Sequence, residues 1–245
     1  MSFEQELRSA KEAAQRAGEH LRNVSDAGII SNSGKDIELK ADREAQEIIL
    51  DYLKPTPYPV ISEHMENPQR NKEGPRWIVD PLDGSLNFYR QIPNAAVSIA
   101  LWDGQEPCLG VVYDFNRDDM YYGAVKEGSF RNGEKISVSD VAEKGNAVLC
   151  MGFPSKADYA TERLLGFVKK VQDFKKVRLL GSAALSLAYV ASGKADAYHE
   201  EGIMLWDVAA GLALVKASGG EFEMKGLGKN QFDIFASNGA LQRAN

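Results

Sequence analysis

The chain is short of the features that mark a secreted, membrane-spanning or fibrous protein. Only two cysteines occur in 245 residues. Cys108 and Cys150 each stand alone in apolar surroundings, which reads as two reduced core thiols; a disulfide or a reactive thiol is the competing reading. No apolar run approaches the roughly 18 to 20 residues that a membrane-spanning helix needs, so no membrane partner is expected. The opening Met1-Ser2-Phe3-Glu4-Gln5-Glu6 is polar and acidic, without the basic segment and apolar stretch of a secretory signal. These absences point to a cytoplasmic protein. Internal repeats and low-complexity tracts are lacking too, as is any linker long enough to separate two halves. Positive charge is in deficit: 29 Lys and Arg face 35 Asp and Glu, a net charge of −6. That balance disfavours bulk attraction to nucleic acid or to an anionic membrane. An anionic small substrate would need a local cationic device.

What is present is globular. Hydrophobic residues make up 44% and charged residues 26%, which excludes a disordered chain. The length suits one large domain, or two modest ones sharing a core. Phe3, Leu7, Ala10, Ala14, Ala17, Leu21 and Val24 recur at helical spacing, with Gly28 as the expected stop. A second helix is predicted from Ala41 to Leu53, ended by Pro55, Pro57 and Pro59. Val60-Ile61 and Trp77-Ile78-Val79 read as buried strands either side of a polar loop from His64 to Arg76. An antiparallel meander follows, with strands at 96–101, 109–113 and 120–122, and turns at Asp103-Gly104 and Asn132-Gly133. The second half alternates strands near 147–151, 177–180, 195–198 and 232–236 with helices near 157–174, 182–191 and 207–218. We therefore read residues 1–140 as an α+β half and 141–245 as an α/β half of one compact unit.

Five places carry candidate chemistry. In Trp77-Ile78-Val79-Asp80-Pro81-Leu82-Asp83-Gly84-Ser85-Leu86-Asn87-Phe88, a buried strand runs into Asp80 and Pro81 turns the chain, so that Asp83 comes back near Asp80. Two carboxylates so placed repel unless a cation or proton sits between them. Their hard oxygens, with the Leu82 carbonyl, suit Mg2+; an Asp-Pro…Asp-Gly double turn is the plainer reading. Gly84 permits close approach of a ligand, and Ser85 adds a hydroxyl. Asp207 opens a helix in Trp206-Asp207-Val208-Ala209-Ala210-Gly211, where a helix-capping acid is the plain reading. Gly181-Ser182-Ala183-Ala184 opens another helix, whose free N–H groups either meet a ligand oxygen or are simply capped. Asp42 heads the second helix and reads as a cap. Glu63 follows a strand and reads as a loop acid.

Together these segments resemble the inositol monophosphatase family. Asp80 to Phe88 is similar to its Asp-Pro-Ile/Leu-Asp-Gly-Ser/Thr-x-Asn-Phe signature, and Trp206 to Gly211 to its Trp-Asp-x-Ala-Ala-Gly signature. Gly219-Gly220 falls at the family's Gly-Gly, Glu63 at the first acid of its Glu-Glu pair, and Asp42 at the Asp of its Thr-x-x-Asp stretch. Gly152-Phe153-Pro154 resembles the family's central strand end. The likeness runs from about Gln15 to Asn238. It implies a layered αβαβα sugar-phosphatase fold, often homodimeric, and Mg2+-dependent, commonly lithium-sensitive hydrolysis of a phosphate monoester of a polyol or nucleotide. By that resemblance Glu63, Asp80, the Leu82 carbonyl, Asp83 and Asp207 would hold two or three Mg2+ ions. The Gly84 and Ser85 N–H groups would meet the phosphate. Asp83, Ala183 and Glu200 would meet the hydroxylated leaving group. Glu63, with Ser85 and Asp42, would orient and activate the attacking water. Relatives with these motifs act on inositol monophosphate, on a bisphosphorylated nucleotide, on fructose bisphosphate or on histidinol phosphate; Asn87-Phe88 and Glu200 favour the first. A regulatory protein that keeps the fold and binds other macromolecular machinery is the non-catalytic alternative. Three positions depart from the pattern: His64 replaces the second Glu, Leu39 replaces the Thr, and Tyr89-Arg90-Gln91 lacks the His often found after Asn-Phe.

Overall fold

The computed structural model describes residues 3–33, 36–65, 74–153, 161–228 and 230–241. Two helices, α1 (Glu4–Asn23) and α2 (Lys40–Leu53), flank a hairpin of β1 (Ile29–Ser33) and β2 (Asp36–Leu39). Next come β3 (Val60–Ser62), β4 (Pro75–Asp83) and a short α3 (Ser85–Tyr89). The meander is β5 (Ala96–Asp103), β6 (Glu106–Asp114), β7 (Asp119–Ala124), β8 (Gly128–Arg131) and β9 (Glu134–Ile136). The second half runs β10 (Val148–Met151), α4 (Thr161–Asp173), β11 (Lys176–Arg178), α5 (Ala183–Ala191), β12 (Ala197–Met204), α6 (Leu205–Ala217), β13 (Glu221–Gly228) and β14 (Gln231–Ser237).

The strands form two large sheets. One has the order β3-β4-β5-β6-β7-β8-β9 and the other β11-β10-β12-β14-β13. In the first only β3 and β4 pair in parallel. In the second β11, β10 and β12 are parallel, while β14 runs antiparallel to both β12 and β13. Period-two alternation divides β5 between two cores. Val97, Ile99 and Leu101 pack with Ala10, Ala14, Ala17 and Leu21 of α1 and with Ala45 and Ile49 of α2. Ala96, Ala100 and Trp102 face the opposite way, onto α5 and α6. Those two helices are apolar on nearly every side because sheets cover both of their faces. Phe167 and Val171 of α4 cover the outside of the second sheet with Leu149, Met151 and Ala197. The layers are therefore helix, sheet, helix, sheet, helix, the αβαβα arrangement expected from the resemblance.

Close approach fixes α6 against the first sheet. A Cβ on Gly110 of β6 would collide with the Ala210 carbonyl oxygen of α6, and one on Gly211 with the Leu187 side chain of α5. Trp102 Nε1 donates to the Ala209 carbonyl at 3.1 Å, and Ser129 Oγ to that of Leu214 at 2.9 Å. Among the described residues no helix is long and apolar enough to cross a membrane. Both cysteines are free thiols, Cys150 buried and Cys108 partly so.

Several sequence expectations are corrected. The first helix stops at Asn23, not at Gly28; Val24 leaves in extended conformation, and the Ala27 and Gly28 carbonyls accept from the Ala41 and Lys40 N–H groups that open α2. Pro81 does not turn the chain. Strand β4 continues through it to Asp83, with a register irregularity opposite β5 between Asp80 and Asp83, and the turn comes at Gly84. A bulge accommodates a residue without an N–H. Strands β1, β2, β8, β9 and β13 were not expected from the sequence, although Glu221-Phe222-Glu223-Met224-Lys225 of β13 alternates polar and apolar residues. The loop segment 66–73, Pro154 and the predicted helix start at 157–160 lie outside the described residues.

Candidate active site

Five elements deliver acids to one region. Strand β4 carries Asp80 and Asp83 at its end, both buried. The bulge turns the backbone so that Asp80 Oδ1 accepts from the Leu82 N–H at 3.1 Å. Gly84 then takes the left-handed conformation, φ 85. A side chain there would be strained, and its Cβ would lie 2.8 Å from the Asn94 carbonyl oxygen. Ser85 Oγ donates to the Leu82 carbonyl at 2.9 Å. As the first residue of α3, Ser85 has an N–H without an intrahelical acceptor.

The second turn is held against the first. Asn87 Nδ2 donates to the Asn94 carbonyl at 2.8 Å and to the Leu180 carbonyl at 2.9 Å. Ser182 caps α5, accepting from the Leu185 N–H at 3.1 Å. Its hydroxyl donates to Asp83 Oδ2, and the Ala183 and Ala184 N–H groups donate to Asp83 at 3.3 and 2.9 Å. The Ala183 N–H, expected at a leaving group, is thus engaged by Asp83: a buried carboxylate needs donors and a helix N-terminus needs an acceptor. Burial pushes the Asp83 carboxyl up to about 6, against the pull of these three hydrogen bonds.

Asp207 sits in the first turn of α6, where its Oδ2 accepts from the Met204 N–H at 3.3 Å. The capping role read from the sequence is real, yet the group also belongs to the cluster. Burial raises it well above the ordinary carboxylate range, and the charges of Glu63, Asp83 and Glu200 raise it further. Asp80 is raised in the same way, by burial and then by Glu63, Asp207, Asp83 and Asp42. Asp80 therefore lies within electrostatic reach of Asp42, Glu63, Asp83 and Asp207, and Asp207 within reach of Glu63 and Asp83.

Asp42 is not a helix cap. It lies in the first turn of α2 without a capping bond, and its Oδ2 is 2.7 Å from His64 Nε2. Its Oδ1 is buried with no hydrogen-bond partner. Burial, the largest influence, raises the Asp42 carboxyl despite His64. Exposed Glu63 follows β3, its Oε2 3.7 Å from His64 Nε2. An unpartnered buried carboxylate oxygen and two other carboxyls raised well above their ordinary range form a donor set that suits a hard divalent cation.

Glu200 lies on β12, where Tyr198, two residues earlier on the same face, donates its hydroxyl to Oε2 at 2.7 Å. Gly152 leaves the space this carboxylate fills; a Cβ there would collide with it. Burial pushes Glu200 up to about 7, with the Tyr198 hydrogen bond opposing and the Asp83 charge adding. Sequence reasoning missed Tyr198, Ser182 and the partnership of His64 with Asp42. Only Tyr198 had a local signal, its i−2 spacing on a strand. Arg90 is exposed at the end of α3 and joins none of these groups.

Known proteins resemble this chain along most of its length. Inositol-1-monophosphatase from Mesorhizobium japonicum is 35% identical over 243 residues, covering 95% of this chain and 91% of that protein. The Nus factor SuhB of Escherichia coli is 34% identical over 222 residues, covering 87% of this chain and 83% of its own. The structure of inositol monophosphatase from Anabaena superposes with a TM-score of 0.84 at 31% identity, over 98% of this chain and 93% of that one. The model of the inositol monophosphatase family matches residues 3–243, and with relatives this similar along most of their length the chain belongs to that family of metal-dependent phosphatases.

Proposed function

We propose that the chain is a Mg2+-dependent phosphate monoester hydrolase acting on inositol monophosphate or a similar polyol phosphate, by attack of an activated water. The observation that carries this reading is the gathering of acids around buried Asp80 and Asp207, whose carboxyls are raised first by burial and then by the charges of Glu63 and Asp83, with Asp42 also acting on Asp80. Such a set is stable when cations share it. In this reading Glu63, Asp80, the Leu82 carbonyl, Asp83 and Asp207 hold two or three Mg2+ ions, four of the five coming from residues 1–140. When bound, Mg2+ offsets the charge of the phosphate dianion, lowers the pKa of water and stabilises the leaving alkoxide. The Gly84 and Ser85 N–H groups orient the phosphate. Glu63, with Ser85 and Asp42, holds the water in line for attack. Glu200, with Asp83 seated on the Ala183 end of α5, receives the hydroxyls of the leaving group. In this reading the enzyme is cytoplasmic and works as a homodimer.

The test is phosphate release from a panel of polyol, nucleotide and sugar phosphates with Mg2+, with and without lithium, for the wild type and Asp80→Asn. We expect release by the wild type and loss of nearly all turnover in a folded Asp80→Asn protein. A fully active variant would refute the site assignment. The name Nus factor SuhB, borne by relatives 34% identical, supports a second reading as a regulatory binding protein. No phosphate release from any panel member would favour it.

A further inference from the structure

Asp42, Glu63 and His64 each offer a donor atom, and the three atoms lie within 4.8 Å of one another. His64 Nε2 is 2.7 Å from Asp42 Oδ2 and 3.7 Å from Glu63 Oε2. A Zn2+ ion about 2.1 Å from each donor holds tetrahedral donors about 3.4 Å apart, close to the Glu63 separation; the shorter Asp42 contact is a hydrogen bond that the ion would replace. A second observation is independent of this spacing. The Asp42 side chain is 1% exposed, yet its Oδ1 has no hydrogen-bond partner. Buried carboxylate oxygens seldom stay unpaired, and a cation at this point would supply the missing partner.

The His64 residue is also fixed in place by its neighbours. Its side chain is buried, and the His64 carbonyl accepts from Arg43 Nη1 at 2.8 Å. Arg43 Nε donates to Glu38 at 2.6 Å, and the same Glu38 oxygen stands 4.0 Å from His64 Nδ1. At 4.0 Å this carboxylate is beyond hydrogen-bond distance and acts on the far side of the ring through its charge alone. The donor set differs in kind from the oxygens of Asp80, Asp83 and Asp207. Mg2+ takes oxygen ligands, whereas imidazole favours the later transition metals.

We propose that Asp42, Glu63 and His64 form a mixed nitrogen and oxygen site for a transition-metal dication, Zn2+ fitting best, at the end of the acid cluster next to the attacking water. Occupation of the site takes Asp42 and Glu63 away from the water and inhibits turnover; this consequence, unlike the binding itself, rests on the phosphatase reading.

The experiment uses the full chain, stripped with chelator and returned to excess Mg2+. Zn2+ affinity is read by competition with a chromophoric chelator. Cu2+ then replaces Zn2+ for pulsed electron paramagnetic resonance, which detects coordinated imidazole nitrogen. The wild type should take one Zn2+ per chain and show nitrogen coupling. His64→Gln should bind Zn2+ more weakly by about tenfold or more and lose the coupling, while His20→Gln retains both. His64→Glu, which keeps a ligand with oxygen donors, should also lose the coupling and guards against a Gln variant that fails to fold. Zn2+ affinity unchanged in a folded His64→Gln protein, or nitrogen coupling that persists in either His64 variant, would overturn the proposal. Zn2+ bound as expected by a protein that releases no phosphate would keep the site and remove the phosphatase reading.

Discussion

Stripped of divalent cations, this protein should lose stability as pH rises from about 4 to about 7, the reverse of ordinary acid denaturation. Asp83 is buried, and its carboxyl is pushed from 3.8 up to about 6 by that burial. Glu200, also buried, is pushed from 4.5 up to about 7. The folded state therefore keeps these protons to higher pH than the unfolded chain. Below about pH 4 both states are protonated and the groups make no difference. As pH rises, the unfolded chain releases its protons first, and the folded state loses stability until its own carboxyls have ionised, near 6 and 7. For Asp83 alone the loss is about 3 kcal/mol, at about 1.4 kcal/mol for each pH unit by which the folded value exceeds the ordinary one. In a chain of this size that is about 6–12 °C in Tm. Calorimetry in chelator across this range, for the wild type and Asp83→Asn, isolates the effect. Carboxyls that partners hold low, such as Glu201 beside Lys170, pull the other way but cancel in the difference. The wild type should lose about 6–12 °C more than the variant, and excess Mg2+ should restore most of it. Parallel curves for the two proteins would refute the argument that Asp83 is buried at an electrostatic cost in the metal-free fold.

Two further outcomes follow from single contacts. Tyr198→Phe removes the hydroxyl that donates to buried Glu200, worth about 1.5–3 kcal/mol for a bond to a charged acceptor. KM for a polyol phosphate should rise, while kcat/KM for an aryl phosphate without hydroxyls should stay as it is; equal losses on both substrates would show that Glu200 does not read the leaving group. Gly110→Ala sets a methyl group against the Ala210 carbonyl of α6, a backbone atom that cannot swing away. Denaturant unfolding should show a loss of about 1–3 kcal/mol, and an unchanged midpoint would mean that α6 sits further from β6 than described.

Much of the site was legible because its chemistry lies in short contiguous runs. Asp80, Leu82, Asp83, Gly84 and Ser85 fall within six residues, and Asp207 within a helix start. The helices α1, α2, α5 and α6 announced themselves by apolar period or by flanking Gly and Pro. Strands β8, β9 and β13 did not. The few residues of β8 and β9 do not alternate cleanly, and β13 alternates only from Glu221 to Lys225 before its last residues run exposed; ladder pairing with neighbours holds all three.

The same division holds for individual residues. Asp42 and Asp207 look alike in sequence, each an acid near a helix start. Tertiary contact separated them: Asp207 caps α6, while Asp42 leaves its own helix uncapped and turns to His64, 22 residues on. Pro81 looked like a turn, and pairing of β4 with β5 carried the strand through it. The sequence by itself determined which acids exist, the glycine that lets the chain turn beside them, and the family. Only the tertiary structure decided that Asp83 rests on the start of α5 about a hundred residues away, that Tyr198 and Gly152 shape the place of Glu200, and that His64 pairs with Asp42. Ionisation and ligand choice depend on burial and on neighbours at ångström distances, and those are set by the packing of layers rather than by the order of residues along the chain.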